Sequence, residues 1–137
     1  MALCRFLQSN LTHPPDRILL VGYSHGSCVA CGASLEPCVL GICCVSPPLG
    51  NLASTALGLK DLWKVFCQST KPRLVCLGTM DTFCSESQLA KKLEMADECE
   101  TETRAEKRIY PGADHFWSRQ SADMVNDVLD WAGKLCL

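Results

Sequence analysis

The stretch that most constrains the fold is Ile18–Cys31, ILLVGYSHGSCVAC. An apolar run from Ile18 to Val21 stops at Gly22, a serine follows two residues on, and Gly26 completes G-x-S-x-G as Gly22-Tyr23-Ser24-His25-Gly26. This predicts a strand, a tight turn and a helix with a hydroxyl at the bend. A serine on so sharp a turn takes a strained backbone, tolerated where strand and helix approach closely, which calls for glycine on both sides. The strain lifts the Ser24 hydroxyl from the sheet edge and sets it beside the first unpaired N–H groups of the helix, where negative charge is favoured. The plainer alternative is a loop serine between two glycines. The apolar run before it and the small-residue helix after it argue against that.

The rest of the chain repeats the same grammar. Residues 2–9 place Leu3, Phe6 and Leu7 on one helical face. Residues 10–17 carry His13, Pro14, Pro15 and Asp16, a turn leading into the Ile18 strand. After the elbow, residues 25–35 read as a helix with a small inner face of Gly26, Ser27, Ala30 and Ala33. Cys38 to Val45 is a continuous apolar run, expected of a parallel strand covered on both faces. Ser46-Pro47-Pro48-Leu49-Gly50 ends it and places a loop where a substrate cleft is expected. Leu59, Leu62, Trp63 and Phe66 follow helical spacing. The next strand, Arg73 to Leu77, ends in Gly78-Thr79-Met80-Asp81, and Ser85 with Gln88 forms a capping box for the helix after it. The charge-rich residues 94–108 read as a solvated face and loop. A short strand at Lys107–Tyr110 leads to Pro111-Gly112-Ala113-Asp114-His115-Phe116, and a final helix from Ser121 is expected to bury Val125, Val128, Leu129 and Ala132. The class is therefore α/β, one domain over residues 1–137, with a mostly parallel sheet of about four strands and helices on both faces.

In such sheets ligands bind at the carboxyl ends of the strands. Ser24, Asp81 and His115 each follow a strand by a few residues, so one layout brings a hydroxyl, a carboxylate and an imidazole to one rim. Their order, Ser then Asp then His, is that of an α/β-hydrolase triad. His115 would take the serine proton, Asp81 would fix the imidazole, and the backbone N–H of His25 would donate to the oxyanion. Asp114 is the rival carboxylate, but adjacent side chains on an extended loop diverge. His25 is also placed to line the cleft, whereas His13 belongs to the proline turn at the surface.

Composition narrows the alternatives. An apolar share of 47%, a charged share of 20% and a net charge of −2 describe a globular protein with no basic block for nucleic acid. No apolar run is long enough to span a bilayer, and Met1–Leu7 lacks the length and cleavage pattern of a signal peptide, so a cytoplasmic location without membrane attachment is expected. The eleven cysteines lie largely inside apolar runs and are odd in number, which favours reduced, buried thiols over a disulfide framework. Cys28-Val29-Ala30-Cys31 matches C-x-x-C, yet with no second pair and no histidine pair at ligand spacing it reads as helix packing rather than a metal or redox centre. Asn10-Leu11-Thr12 matches a glycosylation acceptor by pattern only. No cofactor and no metal is called for.

Taken together, GYSHGS after ILLV, VSPPLG after the next strand, GTMDTFCSES after LVCL, and YPGADHFW before the last helix resemble the dienelactone-hydrolase-like α/β-hydrolases, over residues 16–137. The resemblance implies an esterase-like or thioesterase-like activity on a small acyl substrate, with Ser24, Asp81 and His115 as the triad. Dienelactone hydrolase itself uses cysteine as the nucleophile, so its substrate is not implied. The family has about eight strands with the nucleophile strand as the fifth, and a second oxyanion donor in the loop after the third. The expectation is thus a truncated form beginning just before that fifth strand and lacking that donor, a loss worth roughly 100- to 1,000-fold in kcat. The Ile18 strand would then be an exposed apolar edge, open to self-association or to a partner chain by strand addition. A non-catalytic interaction module is accordingly the alternative function.

Overall fold

The structure is a computed structural model and describes residues 2–50, 60–97 and 105–136. Along the described residues, α1 (Ala2–Asn10), β1 (Ile18–Tyr23), α2 (His25–Ala33), β2 (Val39–Val45), α3 (Lys60–Gln68), β3 (Arg73–Met80), α4 (Glu86–Asp97), β4 (Glu106–Asp114) and α5 (Ser121–Leu135) follow one another. The four strands form one sheet in the order β1-β2-β3-β4, and each neighbouring pair is parallel. This is the α/β sheet expected from the alternation of apolar runs and amphipathic segments.

Strand periodicity divides the core into two layers. Ile42 and Cys44 of β2 and Val75 and Leu77 of β3 face one cluster, whereas Cys43, Val45, Leu74 and Cys76 face the other. Because alternate side chains of a strand point to opposite faces, a strand buried on both needs apolar residues throughout. The first cluster is closed by Ala30 and Cys31 of α2, Trp63, Phe66 and Cys67 of α3, and Leu89 and Leu93 of α4, with Cys4 of α1 joining it. The second is closed by Val128 and Trp131 of α5, with Tyr110 and Trp117. Trp63 and Phe66 stack with ring centroids 4.4 Å apart. Leu59, which opened that helical series, lies outside the described residues.

Helix ends are fixed by specific donors. The Ser85 N–H donates to Gln88 Oε1 at 2.9 Å and the Gln88 N–H to Ser85 Oγ at 3.2 Å, the reciprocal capping box read from sequence. Arg73 is buried at the start of β3 and donates to the carbonyls of Phe66 and Cys67 at 2.9 and 2.7 Å, satisfying last-turn acceptors of α3.

The structure corrects four local readings. α2 ends at Ala33, and of its expected inner face Ser27 and Ala30 are buried while Gly26 and Ala33 are only partly so, Cys28 and Cys31 taking their place. β4 runs on to Asp114, through Pro111 and Gly112, because an edge strand tolerates a proline whose absent N–H has no ladder partner to serve. Within the charge-rich stretch, Arg108 is half-buried and paired with Asp127 at 2.7 Å, while residues 98–104 lie outside the described set. The expected burial of Val125 and Leu129 does not hold. They are 47% and 62% exposed and, with Val21, Tyr23, Val45, Met124 and Val128, line an open apolar groove of about 270 Å³. α5 covers the middle of its face of the sheet, and among the described residues no element covers the β1 flank.

Among the described residues no helix is long and apolar enough to cross a membrane. The ten described cysteines form no disulfide with one another, and nine are buried.

Candidate active site

Parallel register aligns the strand ends. Tyr23 lies opposite Val45, Val45 opposite Cys76, and Met80 opposite Asp114. Ser24, Ser46, Asp81 and His115 are the residues immediately after the four strands, so the sheet delivers all four to one rim.

At the first of these ends the chain turns sharply. Ser24 has φ 51° and ψ −124°, a left-handed conformation rare for a residue with a side chain, and it directly precedes α2. Gly22 makes the turn feasible: a Cβ there would sit 2.4 Å from the Gly26 carbonyl oxygen and 2.5 Å from Ser27 Cα. The requirement for a second glycine does not hold in the same sense, since a Cβ on Gly26 would meet nothing within 4 Å. Ser27 supplies a restraint that the motif alone does not announce. Its buried hydroxyl lies 2.8 Å from the Gly22 carbonyl and 3.2 Å from that of Val45, tying helix, turn and neighbouring strand together.

Three of the expected residues meet. His115 Nε2 lies 3.0 Å from Ser24 Oγ and its Nδ1 lies 2.9 Å from Asp81 Oδ2. The imidazole and the carboxylate are almost fully removed from solvent. Asp81 is held from its other side, where Oδ1 accepts the N–H groups of Phe83 at 2.8 Å and Cys84 at 3.2 Å. Its orientation therefore does not depend on the histidine. The rival Asp114 is engaged elsewhere, accepting from the Ser118 N–H and hydroxyl at 3.2 and 3.0 Å. Those donors hold its carboxyl below the ordinary aspartate range.

His25 opens α2, and its backbone N–H is among the first-turn donors that a helix leaves without an internal acceptor. The Ser24 N–H is already committed to the Val45 carbonyl at 2.9 Å. A developing negative charge beside Ser24 would thus face the positive end of α2. His13 is exposed, as its proline turn suggested.

Two braces around His115 are invisible in the motif. The Tyr23 hydroxyl donates to the His115 carbonyl at 2.9 Å, and burial followed by the nearby charges of Asp81 and Asp114 pushes that phenol upward from its usual pKa. Trp117, with φ 57°, donates from its indole nitrogen to Ser46 Oγ at 3.0 Å, and Ser46, itself at φ 47°, is fully buried. The expected cleft-forming loop after β2 is instead a packed brace. Ser46 to Leu49 are buried, and the Gly50 N–H donates to the Phe83 carbonyl at 2.9 Å. The only clue to Ser46 in the sequence is its position directly after the Cys38–Val45 run, whereas Ser24, Asp81 and His115 each follow a strand by a few residues.

The C-x-x-C pair packs as helix-face hydrophobes. Burial, and then the adjacent Cys31, push the Cys28 thiol up to about 11, the opposite of an activated redox cysteine, and Cys31 Sγ lies 3.7 Å from Cys44 Sγ.

No protein-family model and no curated protein matches the sequence. Solved structures do. An esterase from Pyrococcus furiosus superposes with a TM-score of 0.67 at 21% identity, covering 98% of this chain and 58% of that one. An esterase domain of a Rhodothermus marinus protein gives 0.70 at 19% identity, covering 96% and 65%. A proposed dienelactone hydrolase from Klebsiella pneumoniae gives 0.66 at 19% identity, covering 85% and 51%. The sheet, the elbow and these superpositions place the chain in the α/β-hydrolase fold. It spans between about half and two thirds of the length of these neighbours.

Proposed function

We propose that the protein is a serine hydrolase that cleaves an ester, thioester or amide of a small acyl substrate through an acyl-serine intermediate. The observation that carries this reading is one imidazole bridging Ser24 at 3.0 Å and Asp81 at 2.9 Å on a positive-φ elbow. A serine hydroxyl is a weak nucleophile at neutral pH, so His115 Nε2 accepts its proton as Oγ attacks the substrate carbonyl. Asp81 keeps Nδ1 protonated and stabilises the imidazolium that forms. The His25 N–H and the α2 terminus stabilise the oxyanion of the tetrahedral adduct. His115 then gives the proton to the leaving group, and water repeats the sequence to release the acid. Ten described cysteines without a disulfide among them suit the reducing conditions of the cytoplasm, where we place the protein.

A fluorophosphonate probe tests the assignment. It should modify Ser24 in the folded protein and fail on Ser24→Ala; folded protein that resists the probe rules the reading out. The open β1 flank favours a second reading, a non-catalytic module in which two copies pair through their β1 edges. A monomer at all concentrations by sedimentation, together with Ser24 labelling, would exclude it.

A further inference from the structure

His115 does not stand among polar neighbours. The Phe83 ring centroid lies 4.4 Å from that of the imidazole, Phe116 lies at 5.4 Å edge-on, and Tyr23 lies at 5.6 Å. The three rings come from three separate strand ends, after β3, after β4 and at the end of β1. Each is poorly buried: Phe83 is 43% exposed, Phe116 73% and Tyr23 46%. One exposed aromatic needs no explanation, but three converging on a single buried imidazole form a patch that folding has not covered. His115 beneath them is only 5% exposed, so the rings shield the base, which itself lies 3.0 Å from Ser24 Oγ, while keeping their own outer surfaces open.

We propose that Phe83 and Phe116 are specificity-determining residues that select substrates carrying a neutral, apolar and preferably aromatic group next to the scissile carbonyl. This rests on the hydrolase reading above. Aromatic faces and edges gain both buried area and favourable ring-to-ring geometry from such a group. An anionic group is disfavoured at the same place. The Asp81 carboxylate lies beneath the imidazole, and half-buried Asp114 precedes it in the chain, both close enough to bear on Tyr23. The Phe116 backbone bonds only the Asp114 carboxylate among the contacts described, outside the triad, whereas the Phe83 backbone donates to Asp81 itself and accepts from Gly50. Phe116 is therefore the residue to alter first.

The test uses three fluorophosphonates that differ only in the phosphorus substituent: methyl, phenyl and carboxyethyl. In each, Ser24 Oγ bonds to phosphorus, fluoride leaves, and the serine proton passes to His115, so the labelling rate reads the contact without needing turnover. Wild-type protein should react with the phenyl probe at least about tenfold faster than with the methyl probe, and slowest with the carboxyethyl probe. Phe116→Ala should lose most of the phenyl advantage, read as the ratio of phenyl to methyl rates within the variant, with Phe83→Leu losing part of it. An unchanged phenyl-to-methyl ratio in both variants, or a preference for the carboxyethyl probe, overturns the inference while labelling itself upholds the hydrolase. Failure of every probe on folded wild-type protein overturns both.

Discussion

The rim at the strand ends and the flank of β1 have one strand in common, yet they are finished to different degrees. At the rim, the polar groups of Ser24, Asp81 and His115 have partners, and two further braces, Tyr23 to the His115 carbonyl and Trp117 to Ser46, hold the loop that carries the histidine. On the flank, Val21, Val125 and Leu129 stand half-exposed around an apolar groove. The difference teaches that the rim is defined by register and local hydrogen bonds, not by completeness of the core around it. Among the described residues, four parallel strands bring the hydroxyl, imidazole and carboxylate into line.

Three changes would break or sharpen that contrast. The largest effect is expected at the rim. Asp81→Asn keeps the shape of the side chain but favours the wrong imidazole tautomer, and should slow Ser24 labelling by about 1,000- to 10,000-fold with the melting temperature nearly unchanged. A loss under tenfold would mean that the carboxylate does not orient the base.

Next comes the elbow, where strand and helix touch. Gly22→Ala forces a Cβ against the backbone of Gly26 and Ser27 and should cost about 3 kcal/mol or more, whereas Gly26→Ala meets nothing and should gain about 0.5–1 kcal/mol from reduced chain entropy. Urea unfolding of the pair distinguishes a steric requirement from a mere motif; equal effects would refute the close approach.

The smallest change belongs to the flank. Leu129→Gln should alter stability by no more than about 0.5 kcal/mol, while Val128→Ala, one residue away but buried, should cost about 2 kcal/mol. If Leu129→Gln proves as costly as Val128→Ala, the flank is covered in solution.

Most of this architecture is legible in the sequence, for a physical reason. β2 and most of β3, buried on both faces, leave continuous apolar runs, and Ser24, Asp81 and His115 each follow a strand legible in the sequence by a few residues, so they could be read from position and residue type together. Gly22 was legible as well, because a strained turn demands it. What stayed hidden depends on contacts between distant parts of the chain. Ser27 reaches back to Val45, Ser46 meets Trp117 across the sheet, and Tyr23 reaches the His115 carbonyl, and none of these leaves a local pattern. Helical spacing in α5 identified an apolar stripe but not its buried width, which depends on what lies opposite. β4 was read short because Pro111 and Gly112 resemble a strand stop, although an edge strand can contain both.

Tyr23 belongs to both regions at once. Its ring is a wall of the groove, and its hydroxyl bonds the backbone carbonyl of the candidate base. The two regions are therefore mechanically geared through a single side chain. A swing of the whole side chain about its Cα–Cβ bond, to suit whatever occupies the groove, would draw its hydroxyl off the His115 carbonyl, so the filling of a surface hollow bears on the backbone that carries the imidazole.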